Sequence, residues 1–126
     1  MKRILALVTL FLIIFNYSSK AYSIEPDEFI QSTVSRAAKT LSGGFTKEER
    51  IEKLKEIARD TVDIRGIGFY SLGSHRKNLS KEQLENYKNI FEAYFLKSFS
   101  SRLAEYTNPE IEVQGKEILN KNYTIV

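Results

Sequence analysis

The chain has 126 residues, with 19 Lys+Arg, 16 Asp+Glu, one His and no Cys. The absence of thiols excludes a disulfide framework, a zinc–thiolate site and a cysteine nucleophile, and the lone His75 excludes a poly-histidine metal site. The positive excess lies at the start: Lys2, Arg3 and Lys20 precede the first acidic residue, Glu25, so residues 24–126 carry 16 charges of each sign. A formally neutral surface gives no support to nucleic-acid binding, which rests on phosphate neutralisation.

Residues 1–23 read as an export signal. Lys2 and Arg3 precede the apolar run Ile4–Phe15, which only Thr9 interrupts, and a polar stretch follows. Ala21-Tyr22-Ser23 then places small residues at the two positions a signal peptidase reads. Cleavage after Ser23 fits best, with Ala21 as the alternative. A membrane anchor would need about 20 apolar residues, more than this run supplies. No Cys stands at the cleavage site, which excludes lipid attachment there. The remaining 24–126 suffices for a single domain with a hydrophobic core.

Glu25-Pro26-Asp27-Glu28 predicts a helix start, with Pro near the first position and acids in the first turn. Ile30, Val34, Ala37, Ala38 and Leu41 follow at helical spacing, and Ser42-Gly43-Gly44 ends the helix. Thr46-x-x-Glu49 is a capping box opening a second helix, with Ile51, Leu54, Ile57, Ala58 and Val62 on one face. Glu49 and Lys53 stand as an i,i+4 pair on its wet side. Asp63–Gly73 is apolar but contains three glycines, which predicts a short helix or turn on the core. Ser74–Leu79 reads as a polar loop.

Ser80-x-x-Gln83 is a second capping box, and the element it opens is expected to run to about Tyr106. Leu84, Tyr87, Ile90, Phe91, Tyr94, Phe95, Phe99, Leu103 and Tyr106 cover more than half the circumference of that helix. Such a helix must be covered on more than one side. Two roles are open for its mostly aromatic surface: ordinary core, or the wall of a cavity for an apolar ligand such as an acyl chain. Asn108-Pro109 ends the helix. Ile111 and Val113 alternate with polar residues as in a half-buried strand, Asn120–Asn122 reads as a turn, and Tyr123–Val126 starts another strand.

Catalytic constellations are scarce. Asp60/Asp63 and Glu52/Glu56 are carboxylate pairs on a helix rich in Lys and Arg and read as a solvated charged face. His75 has no orienting group near it in sequence, which a catalytic histidine requires. His75, Arg76 and Lys77 form a small basic cluster, readable as a solvated loop or as a contact with an acidic partner or anionic headgroups. The paired glycines lack the setting and the Lys of a phosphate-binding loop. No catalysis, metal or cofactor is expected.

The segments PDEFIQSTVSRAAKTLS, FTKEERIEKLKEIARDTVDI and LGSHRKNLSKEQLENYKNIFEAYFLKSFSSRLAEYTNPEIEVQGKEILNKNYTIV, in that order, resemble the MlaC family. These are periplasmic phospholipid-binding proteins of the Mla lipid-transport system, also called the toluene-tolerance auxiliary family. The resemblance runs from about Pro26 to Val126. It implies an α+β fold like that of the nuclear-transport-factor group, with N-terminal helices and the long aromatic-rich helix packed on a curved antiparallel sheet. The lipid pocket would lie between sheet and helices.

On that basis Leu72, Phe91, Tyr94, Phe95, Phe99, Val113 and Ile125 are the candidate pocket walls, and His75, Arg76 and Lys77 a candidate partner or headgroup contact. The implied function is a shuttle carrying glycerophospholipid between the outer membrane and an inner-membrane ABC transporter, which maintains outer-membrane lipid asymmetry. The implied partners are that transporter, an outer-membrane lipoprotein complex and the lipid itself. Two departures stand out. Ser74, His75 and Arg76 occupy positions where the family commonly has aromatics, including Trp. Family members also continue through further strands and a C-terminal helical region, so the sheet and pocket wall are expected to be incomplete in a C-terminally truncated chain. The rival reading is a secreted non-catalytic adaptor or structural domain whose aromatic helix is simply core.

Overall fold

The computed structural model describes residues 23–126; the expected export signal lies almost wholly outside them. Among the described residues four α-helices are followed by a two-stranded hairpin: α1 (Pro26–Ser42), α2 (Lys47–Thr61), α3 (Ile64–Ser71), α4 (Lys81–Leu103), β1 (Glu117–Asn120) and β2 (Tyr123–Ile125). This is the α+β class with a small, incomplete antiparallel sheet. A 3₁₀ turn, Gly73–Asn78, joins α3 to α4 where the sequence predicts a loop.

Local chemistry sets the helix starts. Pro26 opens α1, where its missing N–H costs nothing. Thr46 closes a reciprocal box at α2: its hydroxyl accepts from the Glu49 amide at 3.2 Å, while its own amide donates to the Glu49 carboxylate at 2.8 Å. Ser80 and Gln83 repeat the arrangement at α4. Asp63 caps α3 by accepting from the Gly66 amide at 2.9 Å. Because Glu49 serves its cap, the expected Glu49–Lys53 pair is not among the ion pairs of the described residues. Lys53 instead lies 4.6 Å from the centroid of the Phe45 ring, and Lys55 pairs with Glu52.

The core lies among the helices. α2 and α3 both pack on α4, and α1 packs on α2. Leu41, Leu54 and Ala104 form one buried cluster, flanked by Ala37, Ile51 and Leu103. Ala58, Ile64 and Leu96 form a second, flanked by Val62, Phe91 and Phe95. Burial of each leucine or isoleucine in these clusters is worth roughly 1.5–3 kcal/mol. Gly68 lets α3 approach α4 closely, since a Cβ there would stand 2.8 Å from the Phe91 ring. Arg65 fastens the same interface, donating to Asn89 at 2.7 Å and pairing with Glu85. Arg36 links α1 to Asp60 of α2 at 2.7 Å.

Helix α4 stops at Leu103 rather than near Tyr106. The chain tightens into i,i+3 hydrogen bonds at Glu105 and Tyr106, and Asn108 adopts a left-handed φ of 52° before Pro109. Residues 110–114, expected as a strand, form no regular element. Pairing starts only at Glu117, which opposes Ile125, with Ile118 opposite Thr124. The Asn120 side chain accepts from the Asn122 amide at 2.9 Å and shapes the turn. Alternation of apolar and polar residues records one half-buried face; it cannot supply a neighbouring strand.

Candidate functional site: a groove between the first helix and the C-terminal arm

On its exposed side α1 carries Ile30 and Val34, one turn apart and both half-buried. The irregular segment 111–116 lies alongside, with the end of β2 beside it. Between them lies an open groove of about 690 Å³ lined by Ile30, Val34, Ile111, Val113, Ile125 and Val126, with Glu112, Lys116 and Glu117 among its polar neighbours. A second groove of about 480 Å³ flanks the same segment, between Val113–Gly115 and the α1 residues Asp27, Glu28, Gln31, Ser32 and Ser35. Six branched aliphatic side chains line the first groove and one, Val113, the second, which makes the first the better match to a hydrocarbon ligand.

Lys116 fixes the geometry of both. Its ammonium donates to Glu25 at 2.6 Å and to Asp27 at 2.7 Å, joining the segment to the first turn of α1. The hydrogen bond from Lys116 holds the Asp27 carboxyl below its ordinary titration range. In return the hydrogen bonds to Asp27 and Glu25 push the Lys116 ammonium well above the usual lysine range.

The sequence-derived pocket residues fall in separate places. Val113 and Ile125 share the groove. Phe91 and Phe95 pack against the Ala58–Ile64–Leu96 cluster. They belong to a row at i,i+4 spacing along α4, with centroids 6.0 Å apart for Tyr87–Phe91, 6.3 Å for Phe91–Phe95 and 5.3 Å for Phe95–Phe99. Tyr94 is 69% exposed and Phe99 40% exposed. Leu72 is half-buried at the end of α3. Sequence reasoning placed Ile30 and Val34 on a helix face and Ile111 in a strand, without assigning them to a site. It missed Lys116 altogether, because the partners lie 89 and 91 positions away.

In the basic cluster, His75 and Lys77 are exposed while Arg76 is half-buried. The Arg76 guanidinium lies 5.0 Å from the Phe69 ring centroid and 5.9 Å from that of Tyr70, and Lys88 lies 5.6 Å from the same Phe69 ring. Such cation–π contacts place Arg76 as a packing residue as well as a charge. The carboxylate pairs weighed for acid–base chemistry have structural roles: Asp60 binds Arg36, Asp63 caps α3 and Glu52 binds Lys55.

These features define an α+β protein with a helical core and an apolar groove held open beside its first helix. Among the described residues no helix is long and apolar enough to cross a membrane, and no group of three or more His, Cys, Asp or Glu is placed to hold a metal ion. The family model described as MlaC protein matches residues 28–126, nearly all of the described chain. The chain belongs to the MlaC family, a family of phospholipid-binding transport proteins and not of enzymes. No curated protein and no solved structure matches it.

Proposed function

We propose that the protein is a periplasmic phospholipid carrier, exported by residues 1–23 and binding lipid through the single domain 24–126. It moves glycerophospholipid between an outer-membrane lipoprotein complex and an inner-membrane ABC transporter, sustaining outer-membrane lipid asymmetry without catalysis. The observation that carries this reading is the apolar groove between α1 and the C-terminal segment in a chain of this family. A lipid with about 30 acyl methylenes loses on the order of 20 kcal/mol on leaving a bilayer, at roughly 0.8 kcal/mol each. A carrier must offset most of that by burying the chains, so apolar surface is its main requirement. Val113 and Ile125 supply part of the wall, and Leu72, Phe91, Tyr94, Phe95 and Phe99 are proposed to contact acyl chains on the α4 side. His75, Arg76 and Lys77 are proposed to meet a docking partner or the lipid headgroup.

A second reading has an observation of its own. Phe91 and Phe95 are already packed as core, as they would be in a non-catalytic adaptor. Native mass spectrometry of the protein exported to the periplasm of a Gram-negative host, followed by lipid extraction, separates the two. About one phospholipid per chain is expected. A folded, lipid-free protein would establish the adaptor.

A further inference from the structure

The last twenty residues are attached to the helices in an unusual way. At their root Arg50 reaches the Tyr106 carbonyl at 3.5 Å and Lys47 reaches Glu105 at 3.4 Å, so the end of α4 is fixed. The chain then passes through Asn108, with its positive φ, and Pro109. Among the described residues no backbone hydrogen bond joins 107–116 to anything else. Only Pro109 and Val113 of that stretch are half-buried; the rest is exposed. The hairpin beyond it pairs with itself and makes few contacts with the helices. The polar attachment of the whole arm to the helical body is thus the pair of bonds from Lys116 to Glu25 and Asp27.

The same arm forms one wall of the 690 Å³ groove, and α1 forms the other. A wall that, among the described residues, has no backbone bonds to its neighbour and is tied to it by one side chain can swing. Surface ion pairs are individually weak, which suits a contact that must break and re-form. We propose that residues 107–126 are a hinged arm which Lys116 latches onto the first turn of α1, and that release of this latch lets the arm swing away from α1 and widens the groove for ligand exchange. The latch stands on the geometry alone; its role in ligand exchange rests on the carrier reading.

The test compares wild type, Lys116→Ala, and a charge-exchanged variant carrying Glu25→Lys, Asp27→Lys and Lys116→Glu. Backbone 15N heteronuclear NOEs are read for 107–126, with α4 as the internal reference. Lys116→Ala is expected to lower the NOEs of the arm and leave those of α4 unchanged, and the exchanged variant to restore them. Unchanged arm NOEs, or a fall of the same size in α4, overturns the latch.

The second readout is transfer of an NBD-labelled phospholipid to and from phosphatidylethanolamine–phosphatidylglycerol vesicles. Release is expected to be about tenfold faster in Lys116→Ala and to recover in the exchanged variant. Lower arm NOEs with an unchanged release rate overturn the gating role. A wild type that takes up no probe overturns the carrier reading and gating with it, while the NOEs still decide whether the latch exists.

Discussion

Ser100 is fully buried on α4, and its hydroxyl has no hydrogen-bond partner. An unsatisfied buried polar group costs about 1–3 kcal/mol, so Ser100→Ala is expected to raise stability by about 1 kcal/mol in urea unfolding. Lower stability would mean that the hydroxyl is bound in solution. Gly68→Ala has the opposite sign: the added Cβ meets the Phe91 ring at 2.8 Å, and overpacking of that kind costs about 1–3 kcal/mol. Asp27 offers a spectroscopic check. Its lowered titration point means that its contribution to stability is complete above the ordinary carboxylate range and lost as pH falls through the folded-state value. Lys116, shifted upward, contributes below the ordinary lysine range and loses that contribution as pH rises through its folded-state value. In an NMR titration Asp27 should therefore titrate below the usual value of about 3.9 and move back towards it in Lys116→Ala. Neither the close approach at Gly68 nor the Asp27–Lys116 pair was readable from the sequence, because each depends on a neighbour brought from another part of the chain.

What was legible in the elements was local. Thr46–Glu49 and Ser80–Gln83 are three residues apart, and both boxes form as the sequence predicts. Thr46→Ala and Ser80→Ala should each lower stability by about 1 kcal/mol, read as a shift in the urea midpoint with the slope unchanged. Tyr87, Phe91, Phe95 and Phe99 also line up along one side of α4, as four-residue spacing requires. Periodicity identifies the face of a helix but not its neighbour, so it left open whether that row meets ligand or core. The hairpin shows the same limit from the other side. Ile111 and Val113 alternate like a strand yet have no partner, while Ile118 and Leu119, adjacent and both exposed, lie in one. Strand formation follows from pairing, which a two-residue turn at Lys121-Asn122 supplies there and nothing supplies at 110–114.

At the scale of the molecule the order of segments was more informative than any motif. It indicated the MlaC family, and the family match over residues 28–126 bears that out. The groove was not legible: its two walls come from opposite ends of the chain, and only Val113 and Ile125 had been singled out. The hairpin leaves its outer strand edges unpaired and exposes Ile118, Leu119 and Tyr123 by 71, 55 and 62%. Open edges with apolar side chains template association with other chains. Sedimentation velocity is expected to show concentration-dependent self-association, reduced in Ile118→Lys. Equal association in that variant would exclude the hairpin as the contact.

If residues 1–23 are removed as proposed, the position of Glu25 ties the arm to that cleavage. Cleavage after Ser23 would convert the Ile24 amide into a free ammonium, one residue from a carboxylate that Lys116 already uses. Such an amine titrates at about pH 7.7–8.0. Below that range it would compete with Lys116 for Glu25; above it, Glu25 would return to Lys116 alone. The protease that removes the leader would then also set the tension of the arm, giving precursor and mature protein the same sequence around the groove but different freedom to open it.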